Sequence, residues 1–353
     1  MLNLTKFKKT YLQYSFLLLL ICVTVYLVST TLDITLIPMI IKLVNKKFIF
    51  MGFLLMIIYM ILESITINIL IKTMQRTEVR FLSFKIAMMG FYYNLVTPFA
   101  SGSQPMQIYA LNKYGIKLSK STAIVTNKTV LYQTVVTIYC AVIIFFNIEL
   151  LKNELHSILV LMIIGMVMNI ASLFVGMLIV LSPNTMKMII KIVANILYRL
   201  KIFKSLNKKI HTINRFIDEY SYSIKLFIKN KKALFLSIIL TIIQLTIYFS
   251  VSYCIYKAFN LKGLSLFNIL TLQVFLYMSV SPIPTPGNIG ANEIVFFTIF
   301  ANVFPENIIG YSVFLYSIYV YYFLVVVCGL FTIKTHYNMS KRKNKKEITI
   351  RGF

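Results

Sequence analysis

The chain has 353 residues, of which 59% are hydrophobic, and its formal net charge at pH 7 is +26. This composition is too apolar for a soluble domain and is typical of a polytopic membrane protein. The positive charges stand between apolar runs instead of covering one face, which argues against nucleic acid as a partner.

The first half of the chain predicts four spanning helices. After a short basic N-terminus, residues 11–31 are apolar and are expected to remain as a first helix, because no cleavage site of small residues follows. The apolar piece at 34–44 is too short to span and is expected at the membrane surface. The other spans in this half are predicted at 48–71, 130–146 and 158–181.

The second half predicts two further spans, at 233–256 and 307–333, and a basic tail at 334–353. Before them, apolar residues of the basic segment 182–232 recur at spacings of three and four. This pattern predicts an amphipathic helix that either lies on the inner leaflet or folds against the membrane domain. No repeat or linker divides the chain, so we expect one polytopic domain over residues 1–353.

Two stretches at membrane depth cannot form uninterrupted helices. The first, NLVTPFASGSQPMQIY at 94–109, contains Pro98, Gly102 and Pro105. Proline removes a backbone donor and glycine weakens a helix. Since hydrocarbon offers no partner to the freed N–H and C=O groups, irregular backbone survives there only inside protein or beside water. The second stretch, SPIPTPGNIGANE at 281–293, completes a pair that indicates a transport site.

The distribution of Lys and Arg gives these stretches an orientation. The positive-inside rule assigns to the cytoplasm the N-terminus, 72–85, 113–128, 182–232 and the tail. Residues 86–112 must then enter and leave on one side, as a re-entrant hairpin, and 266–306 form a second hairpin from the outer face. The predicted fold is an all-α integral membrane protein with six full transmembrane helices, two oppositely oriented re-entrant hairpins, and both termini cytoplasmic.

Helices that restart within the two stretches would direct their N-termini towards the membrane centre. Such ends carry roughly half a positive charge and unpaired N–H groups, which suits the phosphate of a lipid in transit. The residues predicted to shape this passage are Asn94, Thr97, Ser101, Gly102, Ser103, Gln104, Pro284, Pro286, Gly287, Asn288 and Glu293, with Thr285 and Asn292 as further neutral donors. Purely structural kinks are the alternative.

Two acidic residues, Glu63 and Glu293, are predicted to lie within the membrane. A charge there costs ~2.5–3.5 kcal/mol, which makes each residue a functional hypothesis. Glu293 either stabilises the helix dipole or serves proton coupling or headgroup contact. Glu63 either recognises a cationic headgroup or is neutral and hydrogen-bonded. The four cysteines and three histidines are scattered, so neither a metal site nor a cofactor is predicted.

The segments TPFASGSQPMQIYALNKYGI (97–116), with Arg80 upstream, and PTPGNIGANE (284–293) resemble two signatures of the lysylphosphatidylglycerol synthase transmembrane, flippase-like family. The resemblance extends over essentially the whole chain. It implies two re-entrant hairpins around a lipid site, with Arg80 among the site residues. Bifunctional members carry a large cytosolic synthase domain after the membrane half, and this sequence is expected to lack one.

The expected function is translocation of an anionic or aminoacylated phospholipid, or a related lipid-linked substrate, between leaflets. One alternative is a phosphatidylglycerol lysyltransferase, or another lipid-modifying transferase linked to resistance to cationic antimicrobial peptides. Another is an accessory subunit for envelope assembly. Expected partners are the phospholipid, anionic inner-leaflet lipids, and a separate synthase or a second copy of the chain. The Ile-, Lys- and Asn-rich composition points to an AT-rich bacterium and its plasma membrane.

Overall fold

A computed structural model describes residues 35–75, 79–98, 101–148, 156–182 and 210–350, together with residues 188 and 192. All regular secondary structure in these ranges is helical. The helices are α1 Leu36–Leu43, α2 Lys46–Met74, α3 Leu82–Val96, α4 Ser103–Lys113, α5 Leu118–Phe146, α6 His156–Leu181, α7 Ile210–Lys229, α8 Lys231–Ala258, α9 Leu266–Val280, α10 Ala291–Phe300, α11 Glu306–Ser317 and α12 Phe323–Ile350. A 3-10 turn, Pro286–Asn288, precedes α10, and a π-helical segment, Ile318–Tyr322, joins α11 to α12.

Five helical stretches in the described ranges are long and apolar enough to cross a membrane. They are Lys46–Met74, Leu118–Phe146, Ile158–Leu178, Lys231–Ala258 and the continuous α11–α12 stretch Glu306–Ser340. These stretches correspond to five of the six predicted spans, and the predicted span at 11–31 lies outside the described residues. The chain is therefore an all-helical, multi-pass membrane protein.

The start of α5 corrects one prediction. The sequence predicts a span at 130–146 after a cytoplasmic segment at 113–128, but the helix begins at Leu118 and continues past Lys128 without a break. The predicted start of the helix is wrong, because Lys128 lowers the local hydropathy without ending the helix. Its ammonium group is paired with Glu63. In the same way, α12 continues through most of the predicted tail.

Each interrupted stretch joins two short helices that pack against each other. At the first, Nζ of Lys85 near the start of α3 lies 5.5 Å from the ring centroid of Tyr114, just past α4. At the second, both ends approach Tyr256 of α8. The Tyr256 hydroxyl donates to the Lys262 carbonyl at 2.6 Å, and the rings of Tyr256 and Phe304 lie 6.2 Å apart. Each unit is thus a hairpin whose two ends lie together.

The two hairpins contact different parts of α2 and its surroundings. Ser64, in the second half of α2, hydrogen-bonds to Ser83 at the start of α3 over 3.4 Å. Asn45, just before α2, donates its amide to the carbonyl of Ala258 at 2.7 Å, close to the ends of the second hairpin. The 3-10 turn of the second hairpin packs against α3 of the first. The tips of the two hairpins therefore meet.

Helix α7 is the described part of the predicted amphipathic segment 182–232, most of which before Ile210 lies outside the described residues. Its apolar side packs against α5. The buried residues of this side are Ile217, Tyr220, Ile224 and Phe227. Of the two alternatives for the amphipathic pattern, this part of the chain folds against the helix bundle.

An ionic cluster attaches α7 to the start of α5. Glu219 accepts hydrogen bonds from Oγ of Ser119 at 2.7 Å and from Nζ of Lys117 at 3.1 Å. Nε of Arg215, one turn earlier on α7, lies 3.5 Å from the same carboxylate. The hydrogen bond from Ser119, followed by that from Lys117, lowers the pKa of Glu219 below its usual range.

We expect acid to weaken the attachment of α7 to α5. Because the pKa of Glu219 is lowered in the folded state, its contribution is complete above the ordinary carboxyl pKa of about 4.3. The contribution is lost as the pH falls through the lower folded-state pKa. Hydrogen-exchange protection of the α7 amides should therefore decrease modestly as the pH falls below about 4.3 in the wild type. Glu219→Gln should remove this pH-dependent step, and an unchanged pH dependence in this variant would assign the effect to other groups.

Candidate functional site

A cavity of about 460 Å³ lies where the two hairpin tips meet, and we call it the central cavity. Its volume falls within the range of ~300–1,000 Å³ that is typical of small-molecule sites. The lining comes from both hairpins, from α2, α5, α6 and α8, and from the α11–α12 stretch. Residues far apart in the sequence therefore line one cavity.

The predicted site residues divide into two groups. Those that line the central cavity are Glu63, Asn94, Ser103, Gln104, Gly287 and Asn288. Those outside its lining, as the described residues define it, are Arg80, Thr97, Ser101, Gly102, Pro284, Pro286 and Glu293. Arg80 lies two residues before the start of α3, at the end of this helix away from the cavity. Its guanidinium carbon lies 5.1 Å from the ring centroid of Phe81. The cavity thus brings the two interruptions together and leaves Arg80 apart.

Thr97 satisfies the freed backbone groups of the first interruption. Its hydroxyl donates to the Tyr93 carbonyl at 2.6 Å and accepts from the Gly102 amide at 2.9 Å. Ser101 similarly donates to the Pro98 carbonyl at 2.9 Å. A Cβ atom at Gly102 would lie 2.7 Å from the Thr97 methyl carbon, so glycine allows this close turn. These residues shape the hairpin tip from within.

The second interruption is a tight turn with left-handed backbone. Gly287 and Asn288 have φ angles of 58° and 59°, and Gly290 has a φ of 80°. Glycine and asparagine are the residues that adopt this conformation most readily. A Cβ atom at Gly287 would lie 2.5 Å from the Tyr321 ring and 2.9 Å from the Leu95 carbonyl oxygen. Glycine therefore permits the direct contact between the two hairpin tips.

The first turns of α4 and α10 both border the central cavity. Ser103 and Gln104 are the first two residues of α4, and no side chain among the described residues caps this end. Asn292, the second residue of α10, is buried and lines the same cavity. Helix N-termini carry unpaired N–H groups and partial positive charge. The cavity consequently lies between two helix N-termini, of which only that of α4 lacks a side-chain cap among the described residues.

Glu293 is engaged within the protein. One carboxylate oxygen accepts a hydrogen bond from the Gly290 amide at 2.6 Å, and the other accepts one from the Ser317 hydroxyl at 2.5 Å. A carboxylate in a first helical turn stabilises the helix dipole. Glu293 therefore supports the start of α10 and connects it to α11, as the helix-stabilising alternative requires.

An ion pair between Glu63 of α2 and Lys128 of α5 forms the charged part of the wall. Within the described ranges, no other cavity-lining side chain carries a formal charge. Gln244 of α8 donates to the second carboxylate oxygen at 3.2 Å. All three residues lie near the middle of spanning helices, where an isolated charge is most unfavourable. Pairing and hydrogen bonding are what allow both charges to remain there.

Three neutral polar side chains extend this lining across the cavity. Nε2 of Gln133 donates to Oδ1 of Asn169 at 2.8 Å, and Nδ2 of Asn169 donates to Oγ of Ser281 at 2.8 Å. The chain of hydrogen bonds connects α5 and α6 to the start of the second interruption. Amides and hydroxyls can exchange hydrogen bonds with a headgroup without the penalty of burying a charge.

Aromatic side chains cover much of the remaining wall. The Tyr59 ring lies 5.1 Å from that of Phe91 and 5.3 Å from that of Tyr248, centroid to centroid. The hydroxyls of Tyr132 and Tyr277 lie 3.4 Å apart. Tyrosine combines apolar surface with a polar end. The central cavity therefore offers contacts to both the polar and the apolar parts of a lipid headgroup region.

Sequence reasoning missed three important wall residues. Lys128 was assigned to a connection because of its charge, and Gln133 and Asn169 are single amides inside apolar runs. The available signal was the rarity of such side chains within spanning helices. A lysine and an acid at comparable depth on two predicted helices would have indicated the pair with Glu63.

One comparison with known proteins gives a match and another gives none. None of the curated proteins compared with the chain matches it. The family model described as lysylphosphatidylglycerol synthase TM region matches residues 14–328. That range contains both hairpins and every residue that lines the central cavity. The chain therefore belongs to the lysylphosphatidylglycerol synthase transmembrane-region family.

Proposed function

We propose that the protein translocates an anionic or aminoacylated phospholipid, or a related lipid-linked substrate, between the leaflets of a bacterial plasma membrane. The observation that carries the proposal is the central cavity, where the two hairpin tips meet beside the Glu63–Lys128 ion pair. Membership of the family supports a substrate of the lysylphosphatidylglycerol type.

The cavity supplies the hydrogen-bonding partners that a lipid headgroup lacks in hydrocarbon. A translocated phospholipid must lose the water around its phosphate, and unreplaced hydrogen bonds make that step expensive. The first turn of α4 offers N–H groups and partial positive charge, whereas the Glu293 carboxylate already caps α10. The side chains of Asn94, Gln104 and Asn288 add neutral hydrogen-bonding groups from both hairpins. These groups would lower the barrier to crossing.

In this proposal the hairpins are re-entrant, with 86–112 entering from the cytoplasmic side and 266–306 from the outer side. The central cavity then lies at the middle of the bilayer between six full spans, and both termini are cytoplasmic. The contact of Lys117 with Glu219 supports this topology, because it joins two segments that the positive-inside rule assigns to the cytoplasm. The contact of Asn45 with Ala258 similarly joins two segments assigned to the outside.

The basic cytoplasmic segments suit the other proposed partners. Lys and Arg at the inner membrane surface attract anionic lipids, by ~1 kcal/mol for each residue near that surface. This attraction would concentrate anionic substrate lipids beside the first hairpin. A separate synthase would supply an aminoacylated substrate, and a second copy of the chain is the other candidate protein partner.

Reconstitution into vesicles tests the proposal. With phospholipids that carry a fluorescent acyl chain, we expect exchange between leaflets at least about tenfold faster than in protein-free vesicles, which corresponds to ~1.4 kcal/mol of barrier. The measurement is the fraction of label that a membrane-impermeant quencher reaches over time. Exchange no faster than in empty vesicles would contradict the proposal.

Lipid extracts from cells that express the chain alone separate the other functions. A new aminoacyl lipid in the extract would identify a transferase. An unchanged extract together with a changed leaflet distribution of an existing lipid is the result that translocation predicts. No change in either measurement would favour an accessory role in envelope assembly.

A further inference from the structure

We infer that Glu63 and Lys128 select a headgroup that carries one phosphate and one ammonium group. This inference rests on the proposed translocation function and narrows its substrates from the lysylphosphatidylglycerol type to headgroups with a single ammonium group. The two residues face the central cavity and contact each other. Together they give the described lining one full negative and one full positive charge. A ligand with the complementary pair of charges can engage both.

An ion pair exposed to a cavity can exchange partners with a ligand. Lys128 can turn from Glu63 to a phosphate only when a replacement cation reaches Glu63, because an unpaired carboxylate at this depth is strongly unfavourable. A headgroup with both charges supplies both replacements in one event. The number of charge pairs is then the same before and after binding.

Headgroups with other charge patterns leave one full charge without a partner. A headgroup with only a phosphate would bind Lys128 and leave Glu63 unpaired. One with a phosphate and two ammonium groups would bring an additional positive charge into the cavity. The neutral side chains and helix ends of the lining carry only partial charges and cannot replace a full counter-charge.

The surroundings of the pair fit this exchange. The Lys128 side chain is 19% exposed and that of Glu63 only 6%, so the lysine is the more accessible partner. Gln244 holds the Glu63 carboxylate from α8 at 3.2 Å and fixes it while Lys128 moves. The rings of Tyr59 and Tyr248 stand in the same wall, and aromatic faces attract an ammonium group.

The test compares exchange rates of acyl-labelled lipids in vesicles made with one protein preparation. Phosphatidylethanolamine carries the matching charges, phosphatidylglycerol only the phosphate, and lysylphosphatidylglycerol one extra ammonium group. We expect the wild type to prefer phosphatidylethanolamine. Glu63→Gln should lower the phosphatidylethanolamine-to-phosphatidylglycerol ratio by about tenfold, and Lys128→Gln should shift preference towards lysylphosphatidylglycerol by a similar factor.

Each ratio compares the exchange rates of two lipids with the same protein preparation. A variant that contains less folded protein lowers both rates equally and leaves the ratio unchanged. Lys120→Gln, on the same helix as Lys128 but outside the cavity lining, is the matched control for the lysine. Glu306→Gln, at the exposed start of α11, is the control for the acid. Both controls should keep the wild-type ratios. Alanylphosphatidylglycerol, with the same two charges on a larger headgroup, separates an ethanolamine-type from an aminoacyl-type substrate.

A binding measurement separates failure of this inference from failure of the proposed function. Glycerophosphoethanolamine should raise the melting temperature of the purified wild-type protein more than glycerophosphoglycerol does, and both single variants should lose that difference. If vesicles show no translocation but this difference is present, the proposed function fails and the charge selection stands. If lipids move with ratios unaffected by both variants, or the two headgroups stabilise equally, the charge selection is wrong.

Discussion

Gly287→Ala is expected to reduce lipid exchange by at least about tenfold, equivalent to ~1.4 kcal/mol of added barrier. The backbone at Gly287 has a φ of 58°, and a Cβ atom there would lie 2.9 Å from the Leu95 carbonyl and 2.5 Å from the Tyr321 ring. The left-handed conformation costs ~1–3 kcal/mol for other residues, and overpacking adds ~1–3 kcal/mol. Since the carbonyl belongs to the backbone, the hairpin tips must separate. The vesicle assay measures the effect.

Gly290→Ala is the matched control for this prediction. Gly290 also has a positive φ, 80°, but among the described residues a Cβ atom there would meet nothing within 4 Å. Gly290→Ala therefore introduces backbone strain but no steric clash between the two hairpins. Translocation by Gly290→Ala should stay within about threefold of the wild type, because only the strain term remains. Equal losses in both variants, with both correctly inserted, would remove the tip contact from the mechanism.

Removing one member of the Glu63–Lys128 pair should destabilise the protein by ~3–5 kcal/mol. Lys128→Met leaves the Glu63 carboxylate with Gln244 as its remaining partner, and Glu63→Gln leaves an unpaired ammonium group near the middle of α5. The double variant leaves neither charge and should be more stable than either single variant. Unfolding in detergent, followed for all four proteins, gives the coupling energy between the two side chains.

Lys120→Met provides the control for removing a lysine from α5. Lys120 lies two turns before Lys128 and does not line the central cavity, so its removal should change stability by less than ~1 kcal/mol. If the free-energy losses of the two single variants simply add in the double variant, the charges do not stabilise each other. The charge selection inferred above would then lose its physical basis as well.

The helices that hydropathy defines were predictable, and those that depend on pairing were not. The predicted span 48–71 is close to α2, Lys46–Met74, because a long apolar run with few charges forms a spanning helix in a bilayer. The predicted span 130–146 began too late, since the sequence alone does not reveal that Lys128 has a partner on another helix. Pairing between helices depends on the tertiary structure and cannot be predicted from local hydropathy.

The candidate site shows the same division. Proline and glycine have fixed backbone consequences, so the two interruptions and the helix restarts near Ser103 and Ala291 followed from the sequence. Which side chains face the cavity did not follow. Thr97 was predicted to shape the lipid passage, and it bonds instead to freed backbone groups of its own hairpin. Arg80 entered only through the family resemblance and lies away from the cavity.

The π-helical segment Ile318–Tyr322 has a consequence for movement. Ser317, just before it, holds Glu293 at the start of α10, and Tyr321 within it contacts the turn at Gly287. A π turn holds one more residue than an α turn, and its migration along a helix by one position rotates the intervening residue by about 100°. Migration of the π turn along the helix past both Tyr321 and Ser317 would therefore rotate both anchor points away from the second hairpin.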